Sequence, residues 1–171
     1  MAPLMKGVNS VLTDDQQVTI ARWLVKTVMV YEFLGDRQHF NSTDRQQFSK
    51  SLAVPSETLI FLARHFGTRG MRTRAYHVPL VVGPDTPNPI SVDGYTATFA
   101  IDQVALQIFT FRRPEKSNAL GVKIRLPDNW TGASIDIWPP VRRSRRWPPP
   151  LALDDAGFEL FARRWGNLSS F

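Results

Sequence analysis

Residues Thr13 to Gly35, TDDQQVTIARWLVKTVMVYEFLG, carry the longest uninterrupted helical signal in the chain. Thr13 followed by Gln16 makes a capping box, and Asp14 and Asp15 sit where the helix dipole favours negative charge. Gly35 is a natural stop. Winding Gln16 to Leu34 at ~100° per residue gathers Trp23, Leu34, Ile20, Tyr31, Leu24, Val28, Ala21, Val25, Val18 and Met29 on an arc of roughly 240°. An arc that wide predicts a helix surrounded by protein, with only the stripe of Thr19, Arg22 and Lys26 in water. Glu32 is the misfit, because it falls among Ala21, Val25 and Val28. A buried carboxylate needs a basic partner, so the expectation is that Glu32 reaches water or binds an arginine of a neighbouring sheet.

Outward from this helix, the chain divides into a lead-in at 1–12, a helical part at 13–54, a mainly β part at 57–138, an Arg/Pro-rich loop at 139–152 and a closing helix at 154–166. Thr43 with Gln46 offers a second capping box for a short helix ended by Pro55. From Glu57 the period changes. Thr58 to Arg64 reads as a buried strand, and Thr73 to Val82 as a strand that must lie at an edge or bulge because of Pro79. Gly94 to Ile101 alternates Tyr95, Ala97, Phe99 and Ile101 with Thr96, Thr98 and Ala100, and only Asp102-Gln103 separates it from Val104–Phe111, so a tight hairpin is expected. Val122–Leu126 and Ser134–Trp138 read as two more strands. Asp154 and Asp155 open the last helix, whose Phe158, Phe161, Ala162 and Trp165 share one face. The fold class is α+β in one domain spanning 1–171: a long N-terminal helix packed on a mostly antiparallel sheet of four to six strands, with the C-terminal helix beside it.

With 171 residues, 43% of them hydrophobic, the chain can bury a real core. It has no cysteine, which excludes disulfides and thiolate zinc sites. Its three histidines, His39, His65 and His77, are isolated in sequence with no metal-ligand spacing, so neither metal nor cofactor is expected. No G-x-S-x-G, P-loop, G-x-G-x-x-G or carboxylate cluster is present, and no active site is visible. Without a signal peptide or an apolar run of membrane length, a cytoplasmic location is expected.

The net charge of +6 is unevenly placed. Six basic and six acidic residues balance up to residue 60, leaving fifteen basic against nine acidic beyond it. The densest segment is Ile137–Pro150, IWPPVRRSRRWPPP, where Arg142, Arg143, Arg145 and Arg146 stand between two Trp-Pro corners. Prolines favour extended backbone, guanidinium forks onto phosphate, and Trp stacks on bases, which together read as a stiff arm for DNA or RNA. The alternative is a solvated loop tip whose Trp138 and Trp147 are tucked into the core. Arg69 and Arg72, with Arg64 and Arg74, form a second basic group, read as a turn joining two strands that either extends the binding surface or blunts a sheet edge. A second functional expectation is a protein-interaction or homodimer surface built on Trp138 and Trp147.

Pro3 to Gly7 (PLMKG), Ala21 to Thr27 (ARWLVKT) and Met29 to Phe33 (MVYEF) resemble a region of many bacterial proteins described as HNH endonucleases. Tyr95–Ile101, Ile137–Pro139 and Trp147–Pro149 match later landmarks of that region. The resemblance implies a DNA-related accessory module, linked to nucleases or phage defence. The Cys/His HNH module that precedes it in those proteins has no counterpart here, so the resemblance carries no nuclease activity over. It implies either a free-standing accessory domain or a piece of a longer reading frame.

Overall fold

The computed structural model describes residues 2–35, 38–67, 70–82, 90–112, 130–140 and 144–165. A short helix α1 (Ala2–Met5) and strand β1 (Ser10–Leu12) lead into the long helix α2 (Asp14–Tyr31), extended by one 3-10 turn (Glu32–Leu34). The Thr13/Gln16 capping box forms as its residue types require. Helix α3 (Ser42–Ser51) uses a different box from the expected one. Asn41 accepts from the Asp44 N–H while Asp44 accepts from the Asn41 N–H, which starts the helix two residues earlier than Thr43 would. Asn and Asp are as good as Thr and Gln in these roles, so the two overlapping boxes compete and the upstream one prevails.

The chain then forms β2 (Thr58–His65), β3 (Met71–Val82), β4 (Ile90–Ile101), β5 (Val104–Phe111), β6 (Ser134–Trp138), β7 (Arg145–Trp147), β8 (Ala152–Leu153) and helix α4 (Asp155–Arg163). The main sheet runs β3-β4-β5-β2-β6, antiparallel between neighbours, with β8 added parallel to the end of β2. Three hairpin-linked strands with the preceding strand placed beside the last of them is a Greek key. The basic segment after β2 is therefore a crossover to the far edge of the sheet, not the hairpin turn expected from the sequence. Pro79 falls on β3, an edge strand, where its missing N–H costs no ladder bond. Asp102 makes the β4–β5 turn at φ +51°. Val122–Leu126, expected as a strand, lies outside the described residues.

Side chains alternate across the sheet and both faces are covered. Ile60, Leu62, Tyr95, Ala97, Phe99, Val104, Leu106 and Ile108 face α2, where Ile20, Ala21, Leu24, Val25, Val28 and Met29 meet them. Phe61, Ala63, Ala100, Ala105 and Phe109 face the other way, against Phe158, Phe161 and Trp165 of α4 and its C-terminal turn. The expectation that α4 packs beside α2 is thus overturned: the helices cover opposite faces. Every residue of β5 is buried, which a sheet covered on one side would not require. The buried arc of α2 is also narrower than its apolar arc. Trp23 and Val30 are 37% and 59% exposed, so α2 is flanked rather than enclosed. No helix among the described residues is long and apolar enough to cross a membrane.

Glu32 is buried at the end of α2 and does find a basic partner. That partner is Arg45 of α3, at 2.8 Å, and not an arginine of the sheet. The carboxylate also accepts the His39 and Phe40 N–H groups, each at 3.2 Å. Burial nevertheless raises its pKa above the ordinary value, against the pull of those N–H groups and of Arg45.

Candidate functional site

The arginines singled out by the sequence divide according to what they touch. Arg69, Arg142 and Arg143 lie outside the described residues. Arg72 and Arg74 sit on β3 and point at α4. The Arg72 guanidinium pairs with Asp155 and, at 2.7 Å, with Glu159, while Arg74 forks onto both oxygens of Glu159 at 2.7 and 3.0 Å. These two side chains clamp the sheet edge to the last helix, and their charge is already answered within the fold.

The Arg/Pro-rich segment is not an extended proline-type arm at its C-terminal end. Arg145–Trp147 is strand β7, paired antiparallel with β1. Alternation places Trp147 inward, where it is 2% exposed within the α2-side core. Trp138 packs half-buried against the same cluster. Trp147 is thus a structural anchor and cannot form the exposed patch expected of an interaction surface. Arg146, opposite Val11 in the register, is exposed and has no hydrogen-bond or ion-pair partner among the described residues. Arg145 pairs with Asp136 of β6 at 2.6 Å, and its Nε is buried without a hydrogen-bond partner.

Beside Arg145 lies a residue that the sequence does not single out. Arg164, in the turn after α4, is 6% exposed. Its Nε donates to Gln107 Oε1 at 2.6 Å and its Nη1 to Ser134 Oγ at 3.4 Å. The guanidinium plane is packed among the Phe61, Phe161 and Trp165 rings at 4.2 to 4.9 Å. Gln107 is the hub of this arrangement. Its Oε1 also accepts from Trp165 Nε1 at 2.9 Å, while its Nε2 donates to Thr98 Oγ1 and the Phe161 carbonyl. A glutamine in the middle of the apolar strand VALQIFTF was the available signal.

Among the described residues no carboxylate pairs with Arg164, and its Nη2 has no hydrogen-bond partner. Burial alone lowers its pKa to about 9, so it remains charged at neutral pH. Arg145 and Arg164 line one cleft of about 260 Å³ with Phe61, Trp130, Thr131, Gly132 and Ser134, and among the described residues Asp136 is the single carboxylate there. A recess with two guanidiniums, one acid and unspent N–H groups favours an anionic occupant, since an uncompensated buried charge is costly.

Comparison of the chain with protein-family models, with curated protein sequences and with solved structures finds no match.

Proposed function

We propose that the protein is a nucleic-acid-binding module without chemistry of its own, which holds backbone phosphate at the cleft formed by Arg145 and Arg164. The carrying observation is that Arg164 is buried and charged, has no acidic partner among the described residues and keeps a spare N–H beside a second arginine. A phosphate oxygen would supply both the missing charge and the missing acceptors. Arg146, exposed next to Arg145, and Arg142 and Arg143 before it continue the positive segment along the chain. A run of this kind suits a repeating polyanion better than a single small anion. The resemblance to HNH-associated regions points toward DNA as the partner. Arg72 and Arg74, held by Asp155 and Glu159, are left out of the proposed surface. The test is titration of fluorescently labelled duplex and single-stranded oligonucleotides with the wild-type protein and with the Arg146→Ala and Arg164→Met variants.

A second reading, a protein-interaction or self-association module, is favoured by a different place from the one the sequence suggested. Leu4, Leu12, Ile20 and Trp23 line an apolar groove of about 260 Å³ between β1 and α2. Trp23 in its lining is 37% exposed. Light scattering across a range of protein concentrations separates this reading from the first, because only self-association there makes the mass concentration-dependent.

A further inference from the structure

His39, His77 and Asp93 are far apart in sequence and come from three different segments. Strand register joins the last two. His77 on β3 lies directly opposite Tyr95 on β4, and Asp93 is two residues before Tyr95, hence on the same face. His39 arrives from the loop between the end of α2 and α3. Its backbone N–H donates to Glu32 and its carbonyl accepts from Arg112, so the loop is held at both polar groups. Its ring stacks on Tyr95, with centroids 5.3 Å apart and planes 13° from parallel.

Both Nδ1 atoms are buried and without a hydrogen-bond partner. The His39 Nδ1 is 4.0 Å from one Asp93 oxygen and the His77 Nδ1 is 3.7 Å from the other, too far in each case for a hydrogen bond. The three donor atoms lie within 4.8 Å of one another. Zinc–nitrogen bonds of about 2.1 Å place tetrahedral ligands roughly 3.4 Å apart, so contraction by at most about 1.4 Å would complete the triangle. Burial also holds the His39 imidazole neutral, with its pKa lowered to about 4, which is the protonation state a ligand requires.

We infer that His39, His77 and Asp93 form a binding site for a borderline divalent cation of the zinc class. Two imidazoles and one carboxylate suit Zn²⁺ and its first-row neighbours and not Mg²⁺ or Ca²⁺, which prefer oxygen ligands. Three protein ligands leave a fourth position open. Asp93, 44% exposed at its side chain, opens the group to solvent. Arg112 is an adverse charge close to His39. Its Nη2 is already taken by Asp44 at 2.9 Å and by the His39 carbonyl. The site lies on the α2 side of the sheet, whereas the Arg145–Arg164 cleft lies on the α4 side, so the two stand or fall independently.

The test uses the full chain after chelator treatment, titrated with ZnCl₂ by calorimetry and followed by NMR of the histidine imidazoles. Expected are one-to-one binding, a rise in melting temperature, and displacement of the His39 and His77 signals with His65 unmoved. Co²⁺ in place of Zn²⁺ should give the intense visible absorption of a four-coordinate ion. His77→Gln and Asp93→Asn should each weaken binding at least about tenfold. The wild-type NMR titration decides the matter if a variant fails to fold. Absence of saturable Zn²⁺ binding, binding that leaves His39 and His77 unmoved, equal affinity in folded variants, or equal affinity for Mg²⁺ would each overturn the assignment.

Discussion

Gln107 Oε1 accepts the Arg164 Nε–H at 2.6 Å in a spot where both residues are almost fully buried, and this bond joins the middle of the sheet to the end of the last helix. It makes the buried charge of Arg164 tolerable without neutralising it. Replacing Gln107 by Leu would leave Arg164 Nε and Trp165 Nε1 without acceptors, and the expected cost is about 3 kcal/mol in urea unfolding. Arg164→Met should cost less than about 1 kcal/mol, because removing a buried charge together with its desolvation is nearly neutral. The double variant should recover part of the Gln107→Leu loss. Additive losses in the double variant would mean that the pair is not coupled.

Glu32 supplies a pH dependence with a definite sign. Its folded-state pKa is raised chiefly by burial, so the folded protein takes up the proton at higher pH than the unfolded chain does. The carboxylate therefore adds stability as pH falls from neutral through its folded pKa toward the ordinary value of 4.5. Glu32→Gln, which breaks the pair with Arg45, should cost about 1–2 kcal/mol at neutral pH. The gap between wild type and variant should widen on acidification toward pH 4.5. Denaturant melts of both proteins across this range check it, and a narrowing gap would show that the Arg45 pair outweighs burial.

Gly94 is fixed by a close approach of the neighbouring strand. A Cβ there would stand 2.8 Å from the Val78 carbonyl oxygen, a backbone atom that cannot swing aside. Gly94→Ala should destabilise by about 2 kcal/mol, the ordinary penalty for overpacking. Thermal melts at matched concentration measure it, and an unchanged melting temperature would contradict the packing described.

The arginines held by α4 should behave differently from those left free. Arg74→Ala removes a side chain already forked onto Glu159, and nucleic-acid affinity should stay within about twofold of wild type. Arg146→Ala removes one exposed cation that has no partner among the described residues and should lower affinity several-fold at low salt. Anisotropy titrations of the two variants side by side give the comparison.

Local signals in the sequence were legible where one segment decides its own state. The Thr13/Gln16 box, the Asp154 start of α4, the Asp102-Gln103 hairpin and the edge position of Pro79 all follow from neighbouring residues. Features that depend on distant pairing were not legible. The alternation of Thr96, Thr98 and Ala100 in β4 with larger apolar residues marks a strand but not what covers it; all three are buried, on the face that carries α4. Arg72 and Arg74 looked like a basic turn because Glu159, their common partner, is more than eighty residues away in the chain. The same holds for His39, His77 and Asp93, which only the register of β3 on β4 and the loop after α2 bring together.

The most direct measurement is the salt dependence of nucleic-acid binding. Association constants for a duplex oligonucleotide would be determined over a series of salt concentrations for wild type and for an Arg142→Ala, Arg143→Ala, Arg146→Ala triple variant. Three phosphate contacts correspond to a contribution of about −2.7 to the slope of log K against log salt on duplex DNA. The proposal predicts a wild-type slope at least this steep, flattened by that amount in the triple variant, with Arg164→Met also weakening binding. No binding at low salt, or a slope unchanged by the triple substitution, would contradict it.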